Sequence, residues 1–103
     1  MLSDEEILKR IAEIEGLEIL NGIPRKMQGQ FFQPFNPLTN WSDLGPLIEK
    51  HIGNICFYGP EQSERFRDNY WVSTKDERGD AMNKSLPHAI LLAIIEAHDE
   101  RKS

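Results

Sequence analysis

The side chains best suited to metal or covalent chemistry in this 103-residue chain are His51, Cys56, His88 and His98. A bound metal needs several such donors converging. In sequence that shows as close spacings such as C-x-x-C, H-x-x-x-H or H-E-x-x-H. None of them occurs. On one helix, His88 and His98 would stand about three turns apart, too far to share an ion. Cys56 sits between Ile55 and Phe57, a setting that favours a buried, inert thiol over a nucleophile. There is no G-x-S-x-G elbow and no Walker loop. The adjacent carboxylates Asp76–Glu77 and Asp99–Glu100 stand in polar segments and read as solvated. The sequence therefore predicts no catalytic residue, no metal site and no cofactor.

Binding chemistry has more to stand on. Trp41, Tyr70 and Trp71 are large amphipathic rings of the kind enriched in recognition hot spots. Trp41 stands in the run Asn40-Trp41-Ser42-Asp43, which has the character of a helix start. A helix N-terminus offers free N–H groups and partial positive charge, so a small anionic or nucleotide-like ligand is one reading of this run. The other is structural: Trp41 packs on a sheet, Asn36 and Asn40 tie down a loop, and Asp43 satisfies backbone N–H groups. Phe31, Phe32 and Phe35 also admit two readings. Burying each is worth about 2–3 kcal/mol. They either fold over the core as a lid or form an exposed contact patch. The candidate ligand- or partner-binding set is thus Phe31, Phe32, Phe35, Asn40, Trp41, Asp43, Tyr70 and Trp71.

These residues need elements to position them. The clearest is the closing segment, where Ala89 to Ile95 are all apolar. An amphipathic surface helix shows one apolar stripe, so this helix must be covered on more than one side. Ser85 is placed to cap it, and Pro87 falls in its first turn, where a missing N–H costs little. At the other end of the chain, Ser3-x-x-Glu6 is a capping box flanked by Leu2 and Ile7. Ile7, Leu8, Ile11 and Ile14 recur at helical spacing and Gly16 marks the stop, predicting a helix over about 4–15. Residues 17–35 read as an irregular connection, with a short strand at 17–20 as the most it holds, because Asn21-Gly22, Pro24, Gly29 and Pro34 punctuate it. A second helix runs to about His51, capped by Asn40 or Ser42, with Pro46 in its first turn or so. Asn54–Tyr58 and Arg65–Thr74 read as an antiparallel hairpin, with Tyr70, Val72 and Thr74 on one face and Trp71 and Ser73 on the other. Lys75–Lys84 is a polar loop or the tip of a further hairpin, and 99–103 a frayed tail. The expected fold is α+β, one small domain: a layered α/β/α sandwich with helices on a two- to three-stranded antiparallel sheet. Incomplete coverage of the closing helix would leave surplus apolar surface and predict a homodimer.

Composition narrows the partners. Net charge is −5. Residues 1–22 carry six acids against Lys9 and Arg10, a balance of −4, while the rest is near neutral. Nucleic-acid binding needs clustered Lys and Arg, so the balance argues against it. Arg65, Arg67, Lys75, Arg78 and Lys84 alternate with Glu61, Glu64, Asp68, Asp76, Glu77 and Asp80, a mixed pattern suited to a protein partner. The longest apolar run is seven residues, against about 20 for a bilayer span, so no membrane association is expected. With one cysteine no intrachain disulfide forms, which fits a reducing cytoplasm.

The run Asn36-Pro-Leu-Thr-Asn-Trp-Ser-Asp-Leu-Gly-Pro-Leu-Ile-Glu-Lys50, followed by a strand and then Leu86-Pro-His-Ala-Ile-Leu-Leu-Ala-Ile-Ile-Glu-Ala-His98, resembles the phage ABA-sandwich domain family of small tailed-phage and prophage proteins. The resemblance covers roughly residues 4–15 and 36–98, and the 17–35 connection is longer than the family pattern. It implies an α/β/α layered domain of phage origin, resident in the host bacterial cytoplasm, with no agreed activity and no catalytic residues to carry over. Together with the residues above, the expectation is a non-enzymatic phage or prophage accessory protein. It would act by protein–protein contact on a host factor such as a defence component. A small-ligand or nucleotide-binding domain centred on Trp41 is the alternative.

Overall fold

A computed structural model describes residues 2–20, 23–28, 31–58 and 68–102; the side chains of 20, 26–28, 31–33 and 102 lie outside that description. Helix α1 spans Asp4–Glu15. Its capping box forms as the sequence predicts: the Glu6 N–H donates to Ser3 Oγ at 3.2 Å, and Ser3 Oγ donates back to Glu6 Oε1 at 3.1 Å. Gly16 closes the helix in the left-handed conformation, φ +71°, which only glycine adopts without steric cost. Ile7, Ile11 and Ala12 form the buried stripe.

The short strand read at 17–20 is present, and two more strands follow where an irregular connection was expected. β1 (Glu18–Leu20), β2 (Ile23–Gln28) and β3 (Phe31–Pro34) pair antiparallel in the order β1-β2-β3. The prolines that seemed to forbid regular structure sit where they cost the ladder at most one terminal donor. Pro24 keeps its carbonyl in the ladder, accepting the Phe35 N–H at 2.8 Å. Its ring therefore removes only the last donor at that end. Pro34 pairs with Arg25 on edge strand β3. By the alternation of an antiparallel pair, its nitrogen faces away from β2, the position a sheet tolerates.

Helix α2 spans Trp41–His51, with Asn40 as its cap. Pro46 lies further in than the first turn, so the Ser42 carbonyl loses its intrahelical partner. The chain then enters β4 (Ile52–Tyr58), which pairs antiparallel with β5 (Asn69–Thr74), and β5 pairs in turn with β6 (Asp80–Asn83). The expected hairpin is present, with β4 starting two residues early and Asp68 in a turn rather than in the second strand, and the Lys75–Lys84 segment is a turn plus a third strand. Residues 59–67, including the first residues predicted for the second strand, lie outside the described residues.

Helix α3 spans Leu86–Lys102. Ser85 caps it: its carbonyl accepts the Ala89 N–H at 3.0 Å. The expected frayed tail is instead the last turn of this helix. Asp99 is ion-paired to Arg10 of α1, and Arg101 to Asp76, which holds residues 99–102 in register. Ala89, Ile90, Leu91, Ala93, Ile94, Ile95 and Ala97 are all buried. The physical reason is coverage on several sides: β5 and β6 lie against one, α1 against another, and α2 touches a third. The α+β class expected from sequence holds, with three helices and two small antiparallel sheets. The additional helices, α1 and α2, pack against α3. Ile7, Ile11, Phe35, Leu44, Leu47, Ile52 and Val72 complete one continuous core with α3.

One contact fixes how α3 lies on the sheet. Gly79, in the β5–β6 turn, is pressed against the helix backbone. A Cβ placed there would lie 2.1 Å from the Ala93 carbonyl oxygen and 2.5 Å from the Ala97 nitrogen. Backbone atoms cannot yield as a side-chain tip does. Gly79→Ala is expected to destabilise the fold by about 3 kcal/mol or more. Gly45→Ala, inside α2 with nothing within 4 Å of the added methyl, is expected to stabilise it by about 0.5–1 kcal/mol. Urea unfolding of the two variants tests both signs at once.

Candidate functional site

Two groups of the predicted residues come apart in space. The first surrounds the head of α2. Phe35 is buried in the core, so the lid reading holds for it. The side chains of Phe31 and Phe32 lie outside the described residues. Asn40 Oδ1 accepts the Ser42 N–H at 2.9 Å, and its carbonyl accepts those of Asp43 and Leu44, each at 3.1 Å. The Asp43 side chain is buried and accepts the Asn36 N–H at 3.0 Å, while Asn36 Oδ1 accepts the Leu38 N–H. The polar residues of this run therefore bind their own backbone. A cavity of about 230 Å³ lies alongside, lined by Glu15, Leu17, Phe35, Ser42, Asp43, Pro46 and Leu47. Trp41 is not among its walls. It is 61% exposed, not packed on a sheet as one reading required. The N–H groups of Ser42, Asp43 and Leu44 are engaged by Asn40, and two carboxylates, Glu15 and Asp43, stand in the cavity wall, which disfavours an anionic ligand there.

The second group lies on the β4–β6 sheet. Side chains alternate across a strand, and cross-strand partners share a face. Val72 faces α3 and is fully buried. Its β4 partner is Ile55, and Tyr70 pairs with Phe57. Ile55 and Phe57 thus belong to the face that carries the helix, yet they are 42% and 50% exposed. Coverage by α3 ends between β5 and β4. The Phe57 and Tyr70 rings contact each other with centroids 4.8 Å apart, which shields one side of each and leaves an apolar ledge beside the helix.

On the opposite face stand Trp71, half-buried, and Cys56, which is exposed rather than buried as expected, because its side chain points away from the face that carries α3. Trp71 Nε1 donates to Asp80 Oδ2 at 3.3 Å. A shallow cavity of about 310 Å³ is lined here by Asn54, Trp71, Ser73, Glu77 and Asp80. Burial raises the Glu96 carboxyl above its ordinary range, with the charges of Asp80 and Glu100 adding to the effect. Among the described residues no group of His, Cys, Asp and Glu is placed to hold a metal ion, and no helix is long and apolar enough to cross a membrane.

Of the residues expected to bind, Tyr70 and Trp71 share strand β5 but stand on opposite faces of its sheet; Asn40, Asp43 and Phe35 serve the loop before α2. Ile55 and Phe57 were not among the expected site residues. Their signal in the sequence is the seven-residue run Ile52–Tyr58 without a charge, in a chain where 28% of residues are charged. No protein-family model, curated protein or solved structure matches this chain.

The far end of β5 is fixed by its turn. Asp76 accepts from Thr74 Oγ1 at 2.6 Å, from the Arg78 N–H at 3.1 Å and from Arg101 Nε at 2.8 Å. The Thr74 and Arg101 bonds, followed by that from Arg78, hold its carboxyl well below the usual carboxylate range. A carboxyl depressed in the folded state stabilises above its unfolded pKa and ceases to do so on acidification. Asp76→Asn should therefore lower Tm at neutral pH, and the gap to wild type should close as pH falls below about 4. Thermal melts at pH 7, 5 and 3 check this, and a gap independent of pH would contradict it.

Proposed function

We propose that this chain is a non-enzymatic accessory protein of bacteriophage or prophage origin, acting by protein–protein contact on a host factor such as a defence component. The contact reading is carried by one observation. The apolar and aromatic residues of β4 and β5 are not fully taken up by the core: Ile55 and Phe57 are exposed, and Tyr70 and Trp71 only half-buried. A small folded chain loses the hydrophobic stabilisation of side chains that it leaves in water. An apolar surface kept at that cost is what a partner would cover. The motifs at 36–50 and 86–98 support the phage origin, and the host cytoplasm follows from it.

Trp71 is the anchor on the face away from α3. It combines a large ring with a placed polar neighbour, Asp80, and rings of this kind dominate interface energetics. Glu77, Asp80 and Asn54 around it favour a partner with complementary basic or amide groups. Affinity capture from a host bacterial lysate, with wild-type and Trp71→Ala baits, tests the proposal. The expected result is a protein retained by wild type and lost from the variant, with at least about 30-fold weaker binding. Identical captures from both baits, or none from either, would overturn it.

A further inference from the structure

We propose that the outer edge of β4 pairs with β4 of a second copy of this chain, antiparallel, about a two-fold axis at Cys56. The proposal rests on the reading of the strand side as a contact surface and names one occupant for its edge. In the order β4-β5-β6, β4 lies at the margin, and no described strand pairs with its outer side. The Tyr58 carbonyl accepts the Asp68 N–H, so the polar backbone groups of Tyr58 face β5. By the alternation of an antiparallel ladder, so do those of Cys56 and Asn54, while those of Ile55 and Phe57 face outward. Two outward residues flanking one inward residue are what a symmetric pair needs. Centred on Cys56, Ile55 of each copy exchanges backbone bonds with Phe57 of the other. Their side chains then meet on the α3 side, where each copy already carries the Phe57–Tyr70 ring contact. The irregularity between Ile52 and Asn54 disfavours registers centred nearer the start of the strand.

Self-complementarity selects a second copy as the occupant: about the axis, apolar Ile55 meets apolar Phe57 twice and Cys56 meets its mate, with no charge along the strand. Exposed strand edges are ordinarily blocked by Lys, Pro or an inward charge. Residues 54–58, Asn-Ile-Cys-Phe-Tyr, hold none of these. Two copies each carrying −5 repel over most of their surfaces, and this strand is a place where they meet with no like charge directly opposed. The other edge, β6, is shorter and bears Asp80. A five-residue pairing with one apolar ledge per copy lies at the lower end of specific interfaces, about 1,200 Å², which points to a dimer of micromolar affinity.

Purified protein alone tests this. Light scattering after size exclusion is expected to give dimer mass at about 100 µM and monomer mass near 1 µM. Phe57→Lys, at a half-exposed position, should leave the circular dichroism spectrum unchanged and weaken the dimer at least about tenfold. The register makes a second measurement possible. Cys56 and its symmetry mate form a non-hydrogen-bonded pair with Cα atoms about 4.5 Å apart, within disulfide reach. Diamide, which oxidises two thiols to a disulfide and is itself reduced to the hydrazine, should link wild type at least about tenfold faster than a Cys56→Ser, Glu5→Cys control. A monomer at 100 µM, a dimer unaffected by Phe57→Lys, or cross-linking no faster than the control would each overturn the pairing. None of these outcomes decides whether Trp71 binds a host protein, so the two readings fail separately.

Discussion

Helix α3 is seated on the sheet at a point where no side chain fits. Gly79 brings the β5–β6 turn against the helix backbone at Ala93 and Ala97, and this close approach decides what the helix covers. A helix with its side chains is about 10 Å across, and neighbouring strands are about 4.8 Å apart. A helix pinned at the β5–β6 turn therefore shelters those two strands and runs out of width before β4. The burial follows that geometry: Val72 on β5 is fully buried, and its partner Ile55 on β4 is 42% exposed. The apolar ledge is thus a consequence of how the core is locked together, rather than a patch added to a finished fold.

Charged groups orient what the core holds. His88 of α3 lies against Asp4 at the start of α1, with Nε2 2.7 Å from Oδ1, and Arg10 further along α1 pairs with Asp99 further along α3. Two links in the same order make the helices run in the same direction. Glu15 at the end of α1 meets both Lys50 and His51 at the end of α2, and Arg101 draws the end of α3 to the Asp76 turn. Surface pairs contribute little energy each, about 0–1 kcal/mol. Their value is in selecting one arrangement among those that the apolar faces of three helices permit.

The helices were legible in the sequence because each carries its own instructions. Ser3, Asn40 and Ser85 cap, Gly16 stops, and the apolar spacing of residues 7–14 and 89–95 repeats over several turns. The β1–β3 meander was not legible, because a proline reports a missing N–H without reporting which side of a strand that N–H would face. At Pro34 it faces an open edge; at Pro24 it falls at the end of a ladder. The α3 terminus was read as frayed because its stabilising partners, Arg10 and Asp76, are distant in sequence. Gly79 passed as one residue of a polar turn, since its meaning lies in a helix that begins seven positions later. The same holds for Ile55 and Phe57. A strand that alternates is read as half-buried, and only the position of α3 shows that this one lies beyond cover.

The head of α2 illustrates how polar residues that suggest ligand chemistry can be consumed by folding. Asn40 and Asp43 belong to the recognition set read in sequence, yet they and Asn36 each accept from a backbone N–H. The loop from β3 to α2 must reverse the chain while keeping Phe35 and Pro37 buried, and buried loop backbone is costly unless it is hydrogen-bonded. Side chains that hold the main chain in this way are fixed by the loop first. On β4 the opposite condition holds. The backbone groups of Ile55 and Phe57 face outward by the alternation of the ladder, and the side chains beside them are apolar and partly exposed. A surface with both donors and acceptors and apolar area to offer can gain a partner at no expense to the fold. That difference, more than the identity of any residue, is what supports the proposed contact surface on the strands.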